Sequence, residues 1–359
     1  MDSEIPSTTP WSLCFFNNKG GVGKTTLACN VSSYLARHER LKVLVVDADP
    51  QCNASQLILP TEYAAEIYDG SKQGGSARSK TLKDVLAPLG AGEAKISIPD
   101  RVVSSADNRF AVDLLPGHPK TALLEDKLSQ NWGSFIGGDI GGARISNWNT
   151  QLLSSLGNRY DLIVYDIGPS LGALNRTVLI GVDYFMAPMG CDIFSLIGID
   201  NIADWLQDWR ELYKQSIAQC DRRHPKEIDQ YQVKSHSKMC EFVGYTVQQY
   251  ITKTIRSERR ATGAYENILN EIPKRIEEKM APLIASGLQA RDLQLSNVPH
   301  MFSLVPLAQT ARAPIDLLTS SDGLSGGQYA QQLDYKSFIA RLSQSLLANL
   351  RRTKGVSAP

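Results

Sequence analysis

Short apolar runs alternate with amphipathic stretches along this chain of 359 residues. Runs such as VLVVD and LIVYD are rich in β-branched residues, as strands buried on both faces are. The pattern predicts a doubly wound α/β fold: a mainly parallel sheet with helices on both faces. Strands are predicted at 11–16, 43–47, 111–117, 162–166, 183–190, 241–250 and 301–306. Helices are predicted at 25–37, 195–213, 259–278 and 333–351.

Three polar stretches interrupt this alternation, at 69–80, 133–142 and 219–238. The first two are rich in glycine and the third in mixed charge, so we expect all three to be surface loops or insertions. The chain is therefore predicted to form a single domain over residues 11–352. Residues 1–10 and 353–359 are predicted to be flexible tails.

Composition excludes a globally basic protein, because 38 basic and 37 acidic residues leave a net charge of +1. Binding to nucleic acid would need a local patch. The six cysteines include no CxxC pair, which favours reduced thiols over a disulfide framework or a metal site. The N-terminus lacks the basic start and apolar run of a signal peptide, and no run has transmembrane length. We therefore expect a cytoplasmic protein.

The segment KGGVGKTT (19–26) has the composition of a phosphate-binding loop, and it lies between a predicted strand and a predicted helix. Small residues let the backbone wrap phosphate oxygens, a lysine neutralises them, and a hydroxyl binds Mg²⁺. A glycine-rich turn that merely ends in Lys-Thr is the alternative. We predict an ATP–Mg²⁺ site. Its nucleotide-binding residues would be Asn18, Lys19, Gly20, Gly21, Val22, Gly23, Lys24, Thr25 and Thr26.

Three motifs resemble the ParA/MinD family of ATPases, and most closely the ParA-type partition ATPases. NNKGGVGKTT (17–26), with Asn18 in place of the usual glycine and a second lysine at Lys19, is similar to the family's deviant Walker A loop. VLVVDADPQCNAS (43–55) resembles its D-x-D-P-Q-G-N motif, and YDLIVYDIGPSLG (160–172) its Walker B strand and following loop. Cys52 replaces the usual glycine, and Gly168 a frequent proline.

The resemblance implies distinct roles for the two lysines. Lys24 would contact the β- and γ-phosphates in its own subunit. Lys19 would reach across a nucleotide-sandwich homodimer to the partner's phosphates, where a second cation stabilises the transferring phosphoryl group. The alternative for Lys19 is an ordinary surface lysine.

Three carboxylates follow predicted strands. Asp47 and Asp49 are alternate residues at a strand end, so their side chains should point in opposite directions. By resemblance Asp49 orients the attacking water, whereas Asp47, Asp166 and the Thr25 hydroxyl serve Mg²⁺. The alternatives are that Asp47 only caps the next turn and that Asp166 only caps a helix.

Base recognition and DNA binding are placed late in the chain by the resemblance. Gln248 and Pro306 are the candidates for the base. KTIRSERR (253–260) and two nearby cations are the candidates for non-specific DNA binding through phosphate contacts, and a solvated helix face containing Glu258 is the alternative. The DNA-binding candidates are Lys253, Arg256, Arg259, Arg260, Lys274 and Arg275.

The resemblance as a whole implies an ATPase that dimerises with ATP and associates with the nucleoid. It would hydrolyse ATP when a ParB-like adaptor stimulates it, and so drive partition or positioning of DNA or another cargo. One alternative is a MinD-like regulator anchored to membrane by the last amphipathic helix, although that helix is more simply explained by packing on the sheet. Another is a metabolic P-loop enzyme, either a reductase or a ligase.

Overall fold

The computed structural model describes residues 10–68, 79–231, 233–234, 239–248, 253–255, 258–260, 263–299, 301 and 303–355. In chain order, the strands are β1 (Trp11–Phe15), β2 (Val43–Asp47), β3 (Asp113–Leu115), β4 (Leu162–Asp166), β5 (Tyr184–Met189), β6 (Glu241–Gln248), β7 (Lys253–Ile255), β8 (Glu258–Arg260) and β9 (Gln294–Val298). The α-helices are α1 (Lys24–His38), α2 (Asn53–Ile58), α3 (Thr61–Tyr68), α4 (Leu82–Gly90), α5 (Glu125–Ile136), α6 (Ile140–Ser146), α7 (Trp148–Leu156), α8 (Ala173–Gly181), α9 (Ile193–Arg223), α10 (Glu227–Gln230), α11 (Gly263–Lys279), α12 (Ala290–Leu293), α13 (Leu304–Ala311) and α14 (Gln328–Thr353).

Seven of these strands form one parallel sheet in the order β3-β2-β4-β1-β5-β6-β9. Strand order extends in both directions from β1, and right-handed crossovers in opposite directions place helices on opposite faces. The predicted doubly wound α/β fold is therefore confirmed. A separate antiparallel pair, β7–β8, lies outside the sheet.

Two hydrophobic cores stabilise the fold. The larger surrounds the sheet, where every residue of β2 and β4 is buried. The smaller, which we call the minor core, is formed mainly by α5, α6 and the distal half of α9. Its buried members are Trp132, Phe135, Ala143, Ile180, Tyr213, Ile217, Cys220, Ile228, Val233 and Met239.

The minor core overturns one sequence prediction. Residues 133–142 are not a loop, because α5 continues to Ile136 and α6 begins at Ile140. The glycines serve close packing of helices: a Cβ on Gly142 would lie 2.6 Å from the Asn131 carbonyl oxygen. Residues 219–223 likewise belong to α9, and α10 lies within the third predicted loop. Residues 69–78 of the first predicted loop lie outside the described residues.

The strand predicted at 301–306 is also wrong, because the segment enters helix α13 instead. Pro306 lies in the first helical turn, where its missing N–H costs nothing. The seventh strand of the sheet is β9, at its edge.

Helix α14 packs its apolar face against the rest of the domain, as the simpler explanation predicted. Phe338, Ile339, Leu342, Leu346 and Leu350 are at most 1% exposed. Within the described residues, no helix is both long and apolar enough to span a bilayer.

Candidate functional site

The phosphate-binding loop connects β1 to α1 and is anchored by a neighbouring strand. The Asn17 amide donates a hydrogen bond to the Pro188 carbonyl of β5 (2.7 Å) and accepts one from the Lys19 N–H (2.9 Å). Gly21 and Gly23 have φ of 76° and 75°, a left-handed conformation that glycine adopts without strain. The loop thereby directs the N-terminus of α1, with its unpaired N–H groups, at the space where an anion would bind.

Lys24 is 7% exposed at the start of α1. Its ammonium group donates a hydrogen bond to the Lys19 carbonyl (2.8 Å). Burial lowers the pKa of Lys24, and the charges of Asp166 and Asp49 oppose that shift. A phosphate in the loop would compensate this desolvated cation.

Asp166 ends β4 in register with Phe15 of β1 and Asp47 of β2. It is fully buried, and neither carboxylate oxygen has a hydrogen-bond partner among the described residues. Burial, followed by the charge of Asp47, raises the pKa of Asp166 well above its usual value, while the side chain of Thr25 lowers it. A buried carboxylate without a partner, close to a threonine hydroxyl, fits the oxygen ligands that Mg²⁺ prefers.

Asp47 is also fully buried, but its oxygens are engaged. One accepts hydrogen bonds from the Ser55 N–H (2.7 Å) and hydroxyl (2.6 Å), and the other from the Asp49 N–H (3.3 Å). Burial raises the pKa of Asp47 to about 7. These contacts join the end of β2 to α2, and they favour the turn-holding alternative over the predicted role in the magnesium shell.

Asp49 differs from Asp47, as expected for alternate positions, because it lines the nucleotide cleft. One oxygen accepts a hydrogen bond from the Gln51 N–H (2.9 Å). A Cβ on Gly168 would lie only 3.3 Å from the same oxygen. Asp49 thus lies between the loops that follow β2 and β4, where a side chain could orient a water beside bound phosphate.

Residues 167–172, which we call the Asp166 loop, connect β4 to helix α8. This helix is capped by a residue that the sequence analysis missed. Glu125 of α5 accepts a hydrogen bond from the Leu174 N–H (3.1 Å). A Cβ on Gly172 would lie 2.7 Å from the Glu125 carboxylate, so glycine permits this approach. Asn175 donates hydrogen bonds back to the carbonyls of Gly168 (2.9 Å) and Ser170 (2.8 Å), which fixes the loop from within.

Tryptophan side chains of neighbouring helices contact α8 beyond its first residues. The Arg176 guanidinium lies 4.7 Å from the ring centre of Trp132 in α5 and 5.9 Å from that of Trp209 in α9. The Trp148 indole of α7 donates a hydrogen bond to the Thr177 hydroxyl (2.8 Å). Three surrounding helices therefore determine where the Asp166 loop ends.

Lys19 forms an ion pair with Asp192, the N-cap of α9, instead of lining its own cleft. Its ammonium group also lies 5.8 Å from the ring centre of Phe194. Phe194 is 67% exposed, next to exposed Ile193 and Ile197. The lysine is thus held at the surface beside an apolar ridge.

The nucleotide cleft has a volume of about 570 Å³ and is lined by loop glycines, Lys24 and Thr25, among others. Gln248 lines it, with its amide nitrogen 2.8 Å from where a Cβ on Gly23 would be. Pro306 is exposed and is not part of the lining, although its helix contributes Val305 and Gln309. Apolar lining residues that the sequence did not indicate are Val298, Pro299, Met301 and Tyr335.

The described parts of the basic segment are two short antiparallel strands, β7 and β8, and not the start of the predicted helix, because α11 begins only at Gly263. Lys253 of β7 pairs in register with Arg260 of β8. Arg256 lies outside the described residues. Of the other candidate cations, Lys274 lies 3.5 Å from Glu271 and Arg275 lies 3.6 Å from Asp200.

Comparisons with known proteins agree with this geometry. A family model described as an AAA domain matches residues 12–219. The virulence plasmid ParA family protein pGP5-D of Chlamydia psittaci is 28% identical over 194 residues, which are 54% of this chain and 62% of that protein. The chromosome-partitioning ATPase Soj of Treponema pallidum is 31% identical over 191 residues, 52% of this chain and 60% of Soj. The chain thus spans less than two thirds of the length of these relatives.

A crystal structure is similar over nearly the whole chain. It is that of protein DIP2308 from Corynebacterium diphtheriae, with a TM-score of 0.72 and 29% sequence identity. The match covers 95% of this chain and 98% of DIP2308, so it extends into residues 220–359, which the family model leaves unmatched.

Proposed function

This chain belongs to the ParA/MinD family of P-loop ATPases, and from that premise we propose that it is a ParA-type ATPase. It binds ATP with Mg²⁺ and hydrolyses it to ADP and phosphate. The nucleotide joins two copies in a sandwich dimer, and a ParB-like adaptor stimulates hydrolysis. The cycle drives partition or positioning of DNA or another cargo.

The observation that carries the proposal is the arrangement of opposite charges around the loop. Lys24 is buried with a backbone partner, and Asp166 is buried without a hydrogen-bond partner among the described residues. A triphosphate would pair with the lysine, and Thr25 and Asp166 would hold Mg²⁺, whose charge would compensate the buried carboxylate. Magnesium would neutralise charge on the phosphates, and Asp49 would orient the attacking water.

Substitutions of Lys24 and Asp49 test the activity. Lys24→Ala should weaken ATP binding by about a hundredfold, since it removes a charge-assisted contact. Asp49→Ala should bind ATP but hydrolyse it about a hundredfold more slowly, as expected when a water-orienting group is lost. Calorimetric titration and phosphate release measure the two effects, and Lys336→Ala, an exposed change on α14, is the control.

Asp49→Ala and a second variant, Lys19→Ala, test the dimer. With ATP, Asp49→Ala should accumulate as a dimer in light scattering, whereas Lys19→Ala should remain monomeric because it cannot reach the partner's phosphates. If Asp49→Ala hydrolyses ATP at the normal rate, or if no variant dimerises with ATP, the proposed mechanism is wrong.

We propose that the DNA contacts lie on the β7–β8 pair, which carries Lys253, Arg259 and Arg260. Lys274 and Arg275 are weaker candidates, because each lies near a carboxylate. Reversing the charges of Arg256, Arg259 and Arg260 should abolish retention on non-specific DNA with ATP. The slope of log affinity against log salt should fall by about 0.9 for each lost phosphate contact. Unchanged retention would contradict this assignment, and Lys336→Glu controls for net charge.

A membrane-attached regulator is not favoured, because the apolar face of α14 is already buried against the domain. Attachment would have to expose that face. We therefore expect no flotation of the ATP-bound protein with anionic liposomes.

A further inference from the structure

A second groove lies away from the nucleotide cleft, with a volume of about 350 Å³. It forms where α6 and α7 meet the segment 95–98 and the end of α10. None of its lining residues lines the nucleotide cleft. We call it the basic groove.

The charge of its lining has one sign. Among the described residues, Lys95 and Arg144 are the charged side chains of the lining, and no carboxylate belongs to it. Lys95 is already paired with Glu93 (2.8 Å) at an exposed edge. Among the described residues, no carboxylate lies within ion-pair distance of Arg144, and no group accepts a hydrogen bond from its guanidinium. The lining is therefore complementary in charge to an anion.

Arg144 lies against an aromatic ring. Its guanidinium carbon is 4.1 Å from the ring centre of Tyr231, within the range of a cation–π contact. Such a contact restricts the side chain without using its N–H donors. A guanidinium with free N–H groups is suited to bidentate binding of a carboxylate.

The groove also has an apolar side. Ile98 is 58% exposed, and Ile96 beside it is half-buried. A small anion would leave Ile98 in water, whereas a longer ligand would cover it and gain the free energy of burying apolar surface. The exposed Ser154 and Gln230 add polar groups to the lining, as at the rim of a protein interface.

We propose that the basic groove binds an acidic peptide segment of a partner protein. A carboxylate of that segment pairs with Arg144, and a neighbouring apolar side chain covers Ile98. This inference does not depend on the proposed ATPase activity, because the groove and the cleft share no lining residue.

Fluorescence anisotropy on the full-length protein tests the proposal. The probe is a fluorescein-labelled peptide of alternating glutamate and leucine, compared with the same peptide carrying lysine for glutamate. Saturable binding of the acidic peptide alone is expected. Arg144→Glu should weaken it by about tenfold or more, Ile98→Ser by several-fold, and the control Lys336→Glu by less than about twofold.

Three outcomes would overturn the proposal: no saturable binding to the unaltered protein, equal weakening by Lys336→Glu, or displacement by inorganic phosphate or citrate as readily as by unlabelled peptide. The last would assign the groove to small anions. If Arg144→Glu shifts the thermal unfolding midpoint, the peptide affinity of Ile98→Ser tests the proposal instead. An exposed loop side chain can be changed without loss of the fold.

Discussion

At the scale of single residues, Cys52 shows how a family position and a backbone conformation are connected. It has φ 56° and ψ 37°, a left-handed conformation at the N-cap of α2, where the family motif has glycine. That conformation costs a non-glycine residue roughly 1–2 kcal/mol. The cysteine therefore keeps the turn that glycine usually supplies, at the expense of some strain.

Substitutions of Cys52 should separate backbone strain from the contacts of the thiol. Cys52→Val should reduce the free energy of unfolding by about 1–2 kcal/mol, because a β-branched side chain is least compatible with positive φ. Cys52→Gly should change it by less than about 1 kcal/mol, because relief of strain is offset by the greater freedom of glycine in the unfolded chain. Urea denaturation measures both values, and Cys52→Ala is the control for the thiol. Equal effects of valine and glycine would refute the strain.

At the scale of elements, α8 couples the cleft to the minor core. The helix begins directly after the Asp166 loop, and its cap, Glu125, comes from another helix. Arg176, one turn further, lies between two tryptophans. The Asp166 loop is therefore positioned by α5 and α9 as much as by its own sequence.

Removal of this cap should affect activity as well as stability. Glu125→Ala should reduce the free energy of unfolding by about 1 kcal/mol, as the loss of a helix cap does. It should also lower kcat with little change in KM, because the loop between Asp166 and α8 is held less rigidly. The change in tryptophan fluorescence on ATP binding should be smaller in Glu125→Ala than in the unaltered protein. Asp139→Ala is the matched control, since Asp139 caps α6 by accepting a hydrogen bond from the Gly142 N–H (2.6 Å). Its effect should be confined to stability, and a similar fall in kcat would argue against a specific role for Glu125.

The sequence predicted some of these elements and missed others for physical reasons. β2 and β4 were found with their observed bounds, since strands buried on both faces are continuous apolar runs. β9 was missed because only Leu295 and Val298 are buried in that edge strand. Glu125 was missed because it acts on a helix far along the chain, and local spacing reports only contacts within one element.

At the scale of the whole molecule, Asp166 lowers the stability of the nucleotide-free protein and is retained for its proposed role in binding Mg²⁺. Burial of this carboxylate, whose oxygens accept no hydrogen bond by geometric criteria within the described part of the chain, destabilises the free protein, and a bound cation would compensate that cost. Asp166→Asn should therefore raise the unfolding midpoint of the nucleotide-free protein.

The same substitution should remove the extra stabilisation that ATP with Mg²⁺ gives over ATP with EDTA. Differential scanning fluorimetry under these conditions provides the comparison. Asp316→Asn should have the opposite effect on the free protein, because Asp316 is a buried carboxylate already paired with Arg37 (2.7 Å). If Asp166→Asn lowers the unfolding midpoint and Mg²⁺ still adds stabilisation to that given by ATP, Asp166 is not part of the magnesium site.

Helix α9 connects the two ends of the molecule. Its 31 residues make a rod of about 46 Å at 1.5 Å per residue. Asp192 just before its first residue pairs with Lys19, and the ring centre of Trp209 near its middle lies 5.9 Å from the Arg176 guanidinium. Tyr213, Ile217 and Cys220 in its distal half belong to the minor core. If a helix of this length tilts by about 5° about its lysine end, its far end moves by about 4 Å. In the proposed dimer, Lys19 would leave Asp192 for the partner's nucleotide. We would then expect the displacement to be largest at the minor core, where a distance probe on α10 would measure it.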